Sequence, residues 1–138
     1  TLKPVEHRLQ PSIRQNNILI IDDTYNGNSN GDREGLNILM KLEKRRKVYV
    51  TPGLAETGSR MQEIHYDIGK QLSSVANLVI LIKNSVTGYI FQGLLDSGFN
   101  KENIIQYNSA KEAYEKLYSH LKPDDVVLMQ NDWSDNYT

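Results

Sequence analysis

Asp22 and Asp23 close a short apolar run, and Thr24, Tyr25, Asn26 and Asn28 follow within a few residues. Adjacent carboxylates can bind a hard cation, grip ribose hydroxyls or act as bases. The same pair can also end a strand in an Asx-type turn, with one carboxylate accepting backbone N–H groups. For the isolated pair the two readings balance, but so many hydrogen-bonding side chains in so short a span exceed what a turn requires. Tyr25 can stack on a base or pack on its own helix. Asn26 and Asn28 can orient a ligand or tolerate a left-handed backbone. A second cluster, residues 51–58, reads Thr-Pro-Gly-Leu-Ala-Glu-Thr-Gly. It is either a rigid strand-to-helix connection with Glu56 solvated, or a loop that lies beside the first cluster and completes a pocket. Composition does not separate the two.

Other chemistry is excluded more firmly. There is no glycine-rich phosphate loop ending in Lys-Ser/Thr, no nucleophile elbow and no set of residues at metal-ligand spacing. No catalytic residue and no metal site is therefore assigned to this chain alone. His65 lies next to the apolar face of a helical pattern and reads as a surface or partly packed histidine, and His7 and His120 have no partner at a telling distance. The run Lys44-Arg45-Arg46-Lys47 reads as cations closing a helix C-terminus, where the dipole favours them, rather than as a phosphate patch. The absence of cysteine rules out disulfides and thiolate ligation. With 16 basic and 17 acidic residues the net charge is -1, so no global field draws the chain to nucleic acid or to an anionic membrane. The longest apolar runs, residues 18–21 and 78–82, fall far short of the ~18 residues a membrane span needs. The 138 residues fit one domain, and a start at Thr1 without methionine suggests a piece of a longer protein.

These clusters need elements to hold them. His7 to Arg14 and Asn17 to Asp22 form two arms of a hairpin about Gln15-Asn16-Asn17, with Pro11 confining the first arm to a sheet edge. The second arm is continuously apolar over residues 18–21, the mark of a central strand covered on both faces. Leu36, Leu39, Met40 and Leu42 mark a first helix. Residues 48–51 form the next strand. Met61, Ile64, Ile68, Leu72 and Val75 then line a long helix, with Glu63, Asp67 and Lys70 off that face. A strand at 78–82, a helix through Ile90, Leu94 and Leu95 stopped by Gly98, a strand at 104–107, a helix with Ala110, Ala113, Leu117 and Leu121, and a last strand at 126–129 complete the pattern. Strict alternation predicts a Rossmann-like α/β domain of three layers, with a mostly parallel sheet, helices on both faces and the hairpin at one edge. Ligands in such folds lie beyond the carboxyl ends of the strands, here residues 22–30, 51–58, 83–87, 107–109 and 130–137.

Two families share features with these junctions. The receiver domain of two-component signalling also ends its first strand in Asp-Asp, which leaves a stand-alone phosphate- or nucleotide-responsive signalling module as an alternative. That chemistry needs a carboxylate after the third strand, where this chain has Lys83-Asn84-Ser85. The other family fits at several points in order. Asp22-Asp23-Thr24-Tyr25-Asn26-Gly27-Asn28 resembles the Asp-Asp-Ser/Thr-Tyr-Asn-Ala-Asn-Pro motif in the C-terminal domain of Mur ligases, in particular the ligase that adds D-alanyl-D-alanine to a UDP-MurNAc-tripeptide. Residues 50–58 followed by His65 and Ile68-Gly69 resemble the family's Thr-Pro-Gly-x-x-Glu-x-Gly segment with its downstream His and Ile-Gly. His7-Arg8-Leu9 is similar to its domain-boundary signal. Ser29 stands where the family usually has proline and Gly27 where it has alanine. The ending Asn131-Asp132-Trp133-Ser134-Asp135-Asn136-Tyr137 is nearer Asn-Asp-x-x-Asp-x-Tyr than Lys-Gly-Ser-Arg.

The resemblance implies a cytoplasmic enzyme of peptidoglycan precursor synthesis that uses ATP and Mg2+ to convert a carboxylate to an acyl phosphate, which an amine then attacks. It implies that residues 1–138 are the last of three domains, with the phosphate loop in the absent central one, and that this domain is inactive alone. Arg8 and Asp23 would contact the nucleotide. Tyr25, Asn26, Asn28 and Glu56 would face the cleft for the incoming amine, such as D-alanyl-D-alanine. The implied partners are the UDP-MurNAc-peptide, that amine, and the central and N-terminal domains of the same enzyme.

Overall fold

The structure, a computed structural model, describes residues 8–13, 15–24, 45–54 and 58–131, with side chains placed for 16–21, 45–54 and 58–130. The chain enters as strand β1 (Arg8–Ile13), which pairs antiparallel with β2 (Leu19–Thr24) in a register of Ile13 to Leu19 and Pro11 to Ile21. The reversal between them is a 3-10 turn over Gln15–Asn17, in which Asn16 and Asn17 take φ of 61° and 60°. Asparagine tolerates that left-handed backbone, as the hairpin reading requires. β1 is the sheet edge, where a proline with no N–H does least harm.

Beyond β2 follow β3 (Lys47–Thr51), α1 (Met61–Leu72), β4 (Leu78–Ile82), α2 (Thr87–Asp96), β5 (Ile104–Tyr107), α3 (Ala110–Lys116) and β6 (Val126–Asn131). The sheet order is β1-β2-β6-β3-β4-β5, and every pairing except β1 with β2 is parallel. The last strand therefore slots into the middle of the sheet. β2 is interior, as its unbroken apolar run requires, but the centre belongs to β6 and β3. The expected helix around Leu36 to Leu42 lies outside the described residues.

Alternation along each strand makes three layers. Tyr49, Val79, Leu81 and Leu128 pack with Ile68 and Leu72 of α1 and Ile90 and Leu94 of α2 on one face. Val48, Val50, Ile80 and Val127 pack with Ala113 and Leu117 on the other. β3 and β4 are buried at every position. That explains why β4 is apolar at every position.

The buried stripe of α1 differs from its apolar pattern. His65, Ile68, Gly69 and Leu72 are buried, Ile64 and Val75 sit at the rim, and Met61 is exposed. The stripe is rotated because Gly69 meets Gly93 of α2 backbone to backbone. A Cβ on Gly69 would fall 2.2 Å from the Ile90 carbonyl oxygen, and one on Gly93 2.1 Å from that of Tyr66. Helix α2 ends as expected. Gly98 has φ of +90°, its N–H bonds the Leu95 carbonyl, and the Phe99 N–H bonds that of Leu94, a Schellman closure. Ser109 caps α3 through the Glu112 N–H, but the helix stops at Lys116 and tightens into a 3-10 turn over Leu117–His120. Leu121 is already extended, two residues ahead of Pro123, whose ring disfavours helix before it.

Arg45, Arg46 and Lys47 of the basic run have a structural task, and the helix end that the run was expected to close lies outside the described residues. Arg45 donates to the Asn17 carbonyl at 2.8 Å, and Arg46 pairs at 2.7 Å with Asp125, which is 1% exposed and also accepts the Lys122 N–H. Lys47 is the first residue of β3, and its ammonium donates to the Arg45 carbonyl. These cations tie together the amino ends of the strands, at the pole opposite the candidate site.

Candidate functional site

Parallel strands bring β2, β6, β3 and β4 to the same carboxyl edge. Register fixes who meets whom there. Leu9 is opposite Asp23 and Arg8 opposite Thr24, so Arg8 and Asp23 occupy adjacent positions at one end of the hairpin. Asp23 in turn pairs with Gln130 of β6, and Val50 of β3 pairs with Met129, one residue back. β6 thus carries the line from Asp23 across to Thr51. The sequence separates Arg8, Asp23 and Thr51 widely; the backbone sets them along one edge. Tyr25, Asn26, Asn28 and Glu56 lie outside the described residues.

Two polar devices at this edge were not legible from residue types. Gln130 is buried, and its side-chain carbonyl accepts the hydroxyl hydrogen of buried Tyr49. A tyrosine in an apolar strand gives no hint of that partner, which is 81 positions away. The other device is Asn84, just after β4. Its Oδ1 accepts the N–H groups of Val86 at 2.9 Å and Thr87 at 3.1 Å, and its Nδ2 donates to the Pro52 carbonyl. An Asx turn is suggested by an asparagine placed shortly before a helix. The reach to Pro52 is not.

His65 is more deeply placed than a surface or partly packed histidine. It is wholly buried, with Nδ1 2.7 Å from the Met61 carbonyl and Nε2 accepting the Leu54 N–H at 2.9 Å. A carbonyl on one nitrogen and an N–H donor on the other admit only the neutral ring with its proton on Nδ1. Burial holds its pKa below the ordinary histidine value. A proton on Nε2 would also face the Leu54 N–H donor to donor. His120 is held low as well, first by burial and then by Arg46 and Lys116, with its ring against the Tyr107 hydroxyl. Among the described residues, no three His, Asp or Glu side chains are grouped to hold a metal ion. Nor is any helix there long and apolar enough to cross a membrane.

A mostly parallel sheet between helices defines a Rossmann-like α/β domain, a class that takes its ligands beyond the strand carboxyl ends. Comparison with known proteins gives this class a family. The model for the Mur ligase glutamate ligase domain matches residues 7–130, and the chain belongs to that family. Among solved structures it is similar to the MurF ligase from Thermotoga maritima in complex with ADP, with a TM-score of 0.73 at 22% identity over 97% of this chain and 29% of that one. A MurF from Acinetobacter baumannii gives 0.72 at 21% identity, over 94% of this chain and 28% of that one. A domain from a putative UDP-N-acetylmuramate:L-alanyl-gamma-D-glutamyl-medo-diaminopimelate ligase of Haemophilus ducreyi 35000HP gives 0.63 at 17% identity, over 92% and 89%. The chain spans less than a third of the length of the two MurF chains. No curated protein gave a significant match.

Proposed function

We propose that residues 1–138 form a single domain, the closing C-terminal domain of a cytoplasmic, ATP-dependent amide ligase of peptidoglycan precursor synthesis, whose amine substrate is D-alanyl-D-alanine and whose carboxylate substrate is a UDP-MurNAc-tripeptide. The observation that supports it most is the common edge. The hairpin register sets position 8 one step from position 23, and the chain after Thr51 leaves the sheet from the same end two strands away. The amine assignment rests on the Asp-Asp-Thr-Tyr-Asn-Gly-Asn run of residues 22–28.

In this reading ATP, Mg2+ and the phosphate loop belong with the central domain. The γ-phosphoryl group passes to the substrate carboxylate and ADP leaves. The amine nitrogen then attacks the acyl carbon, phosphate departs, and the nitrogen loses its proton. This domain supplies no group to those bond changes. Arg8 has the planar fork that suits a phosphate, and Asp23 can accept from ribose hydroxyls. Tyr25, Asn26, Asn28 and Glu56 are assigned to the amine by the family resemblance. Domain closure delivers these groups only with ligands bound and keeps water from the acyl phosphate.

The test is Asp23→Ala in the full-length protein. A fall in kcat/KM of about tenfold or more is expected, the scale of one lost charge-assisted contact. The 138-residue chain by itself should hydrolyse no ATP. Near-normal turnover of the variant would remove Asp23 from the site.

A further inference from the structure

Residues 51–54 are held more tightly than a strand-to-helix connection requires. The Thr51 hydroxyl accepts the Gly53 N–H at 2.9 Å, the Pro52 carbonyl accepts from Asn84, and the Leu54 N–H is taken by His65 Nε2 at 2.9 Å. All four residues are buried. Gly53, at φ +92°, is pressed onto the imidazole, and a Cβ there would lie 3.2 Å from Nε2 and 2.5 Å from a Val86 methyl. The histidine is itself anchored one turn back, to the Met61 carbonyl. The segment therefore has two independent fixings, one from α1 and one from the loop after β4.

We propose that His65 is a positioning residue for the amine side of the ligand edge: as the neutral Nδ1–H tautomer it fixes the backbone of residues 52–54 at the carboxyl end of β3. An imidazole suits this task because its two nitrogens can serve a donor and an acceptor at once, across a rigid ring. The nucleotide side, at β1 and β2, is positioned by the hairpin and does not depend on His65. The proposal rests on the ligase reading for the identity of the ligand, whereas the clamp itself does not.

Two arms test it. In the 138-residue chain, two-bond nitrogen–proton NMR should show His65 neutral with its proton on Nδ1. An imidazolium or an Nε2–H ring at neutral pH overturns the proposal without any variant. His65→Leu should speed exchange of the Leu54 amide by about tenfold or more, while amides of Val79 and Leu128 keep their protection, because one buried donor loses its acceptor. His65→Gln retains an acceptor and a donor and should stay within about threefold of the parent. In the full-length protein, His65→Leu should raise KM for D-alanyl-D-alanine by about tenfold and leave KM for ATP within about twofold, with His65→Gln restoring the former. Equal rises in both constants, or no rise in either, would overturn the positioning role. If the expected tautomer and exchange results accompany a full-length protein that forms no amide from these substrates, the clamp stands and the ligase reading falls.

Discussion

Replacing Gly69 with alanine sets helix propensity against packing, and the structure says which wins. Alanine is favoured over glycine inside a helix by about 1 kcal/mol. Against that, the new Cβ would meet the Ile90 carbonyl oxygen at 2.2 Å, the Leu94 nitrogen at 2.8 Å and the Gly93 Cα at 3.0 Å. All three are backbone atoms of α2, so no side chain can turn aside. Ordinary contact begins near 3.4 Å, and relieving the closest approach alone requires the two helices to part by about 1 Å. Separation loosens Ile68 and Leu72 against Ile90 and Leu94, which share one core. Overpacking of this kind costs typically about 1–3 kcal/mol, and the loosened core adds to it. The net expectation is a loss of about 2 kcal/mol, or a fall in Tm of roughly 5–10 °C for a domain of this size. Urea and thermal unfolding followed by far-UV circular dichroism would measure it. Gly88→Ala is the control, because a Cβ there meets nothing within 4 Å, and it should be neutral or slightly stabilising. A Gly69→Ala variant as stable as the parent would refute the close helix crossing.

Asn84→Ala removes the Asx turn before α2 and the donor to the Pro52 carbonyl, and should cost about 1–2 kcal/mol in urea unfolding with an unchanged m-value. Acid should destabilise the domain near neutrality. His65 is held below the ordinary histidine value of 6.5 by burial, and His120 by partial burial and then by Arg46 and Lys116. The unfolded chain therefore binds protons near 6.5 that the folded chain refuses. Stability is complete above that pH and falls as the pH drops toward the lower folded values. The urea midpoint should accordingly decrease from about pH 7.5 to about pH 5.5, and His65→Gln should flatten the slope. A midpoint that rises on acidification would contradict the buried neutral ring.

The sequence foretold the elements better than their neighbours. Pro11 and the Gln15-Asn16-Asn17 turn announced an edge hairpin, and Gly98 a helix end, because these depend on φ and on N–H groups local to the residue. The continuous apolar runs at 18–21 and 78–82 announced strands buried within the sheet. Strand order was not legible, since nothing in residues 126–131 says that they insert between β2 and β3 rather than adding at an edge. The buried face of α1 was misjudged by one step for a related reason. Hydropathy counts Met61 as core and Gly69 as nothing, whereas a close crossing with α2 needs a residue without a side chain. The full burial of His65 exceeds a surface or partly packed reading because its acceptor role depends on a backbone N–H 11 positions away. At the ligand edge, Arg8 could be placed one register step from Asp23 only once the hairpin pairing was known, and the polar run at 25–30 and Glu56 lie outside the described residues.

Amide formation is tested by ADP release from the full-length protein supplied with ATP, Mg2+ and UDP-MurNAc-tripeptide, with and without D-alanyl-D-alanine, alongside mass analysis of the product. ADP release that depends on the dipeptide, with one amide product formed per ADP and both lost when the 138 residues are deleted, is the predicted result. ADP release and amide product that persist without these residues would contradict it.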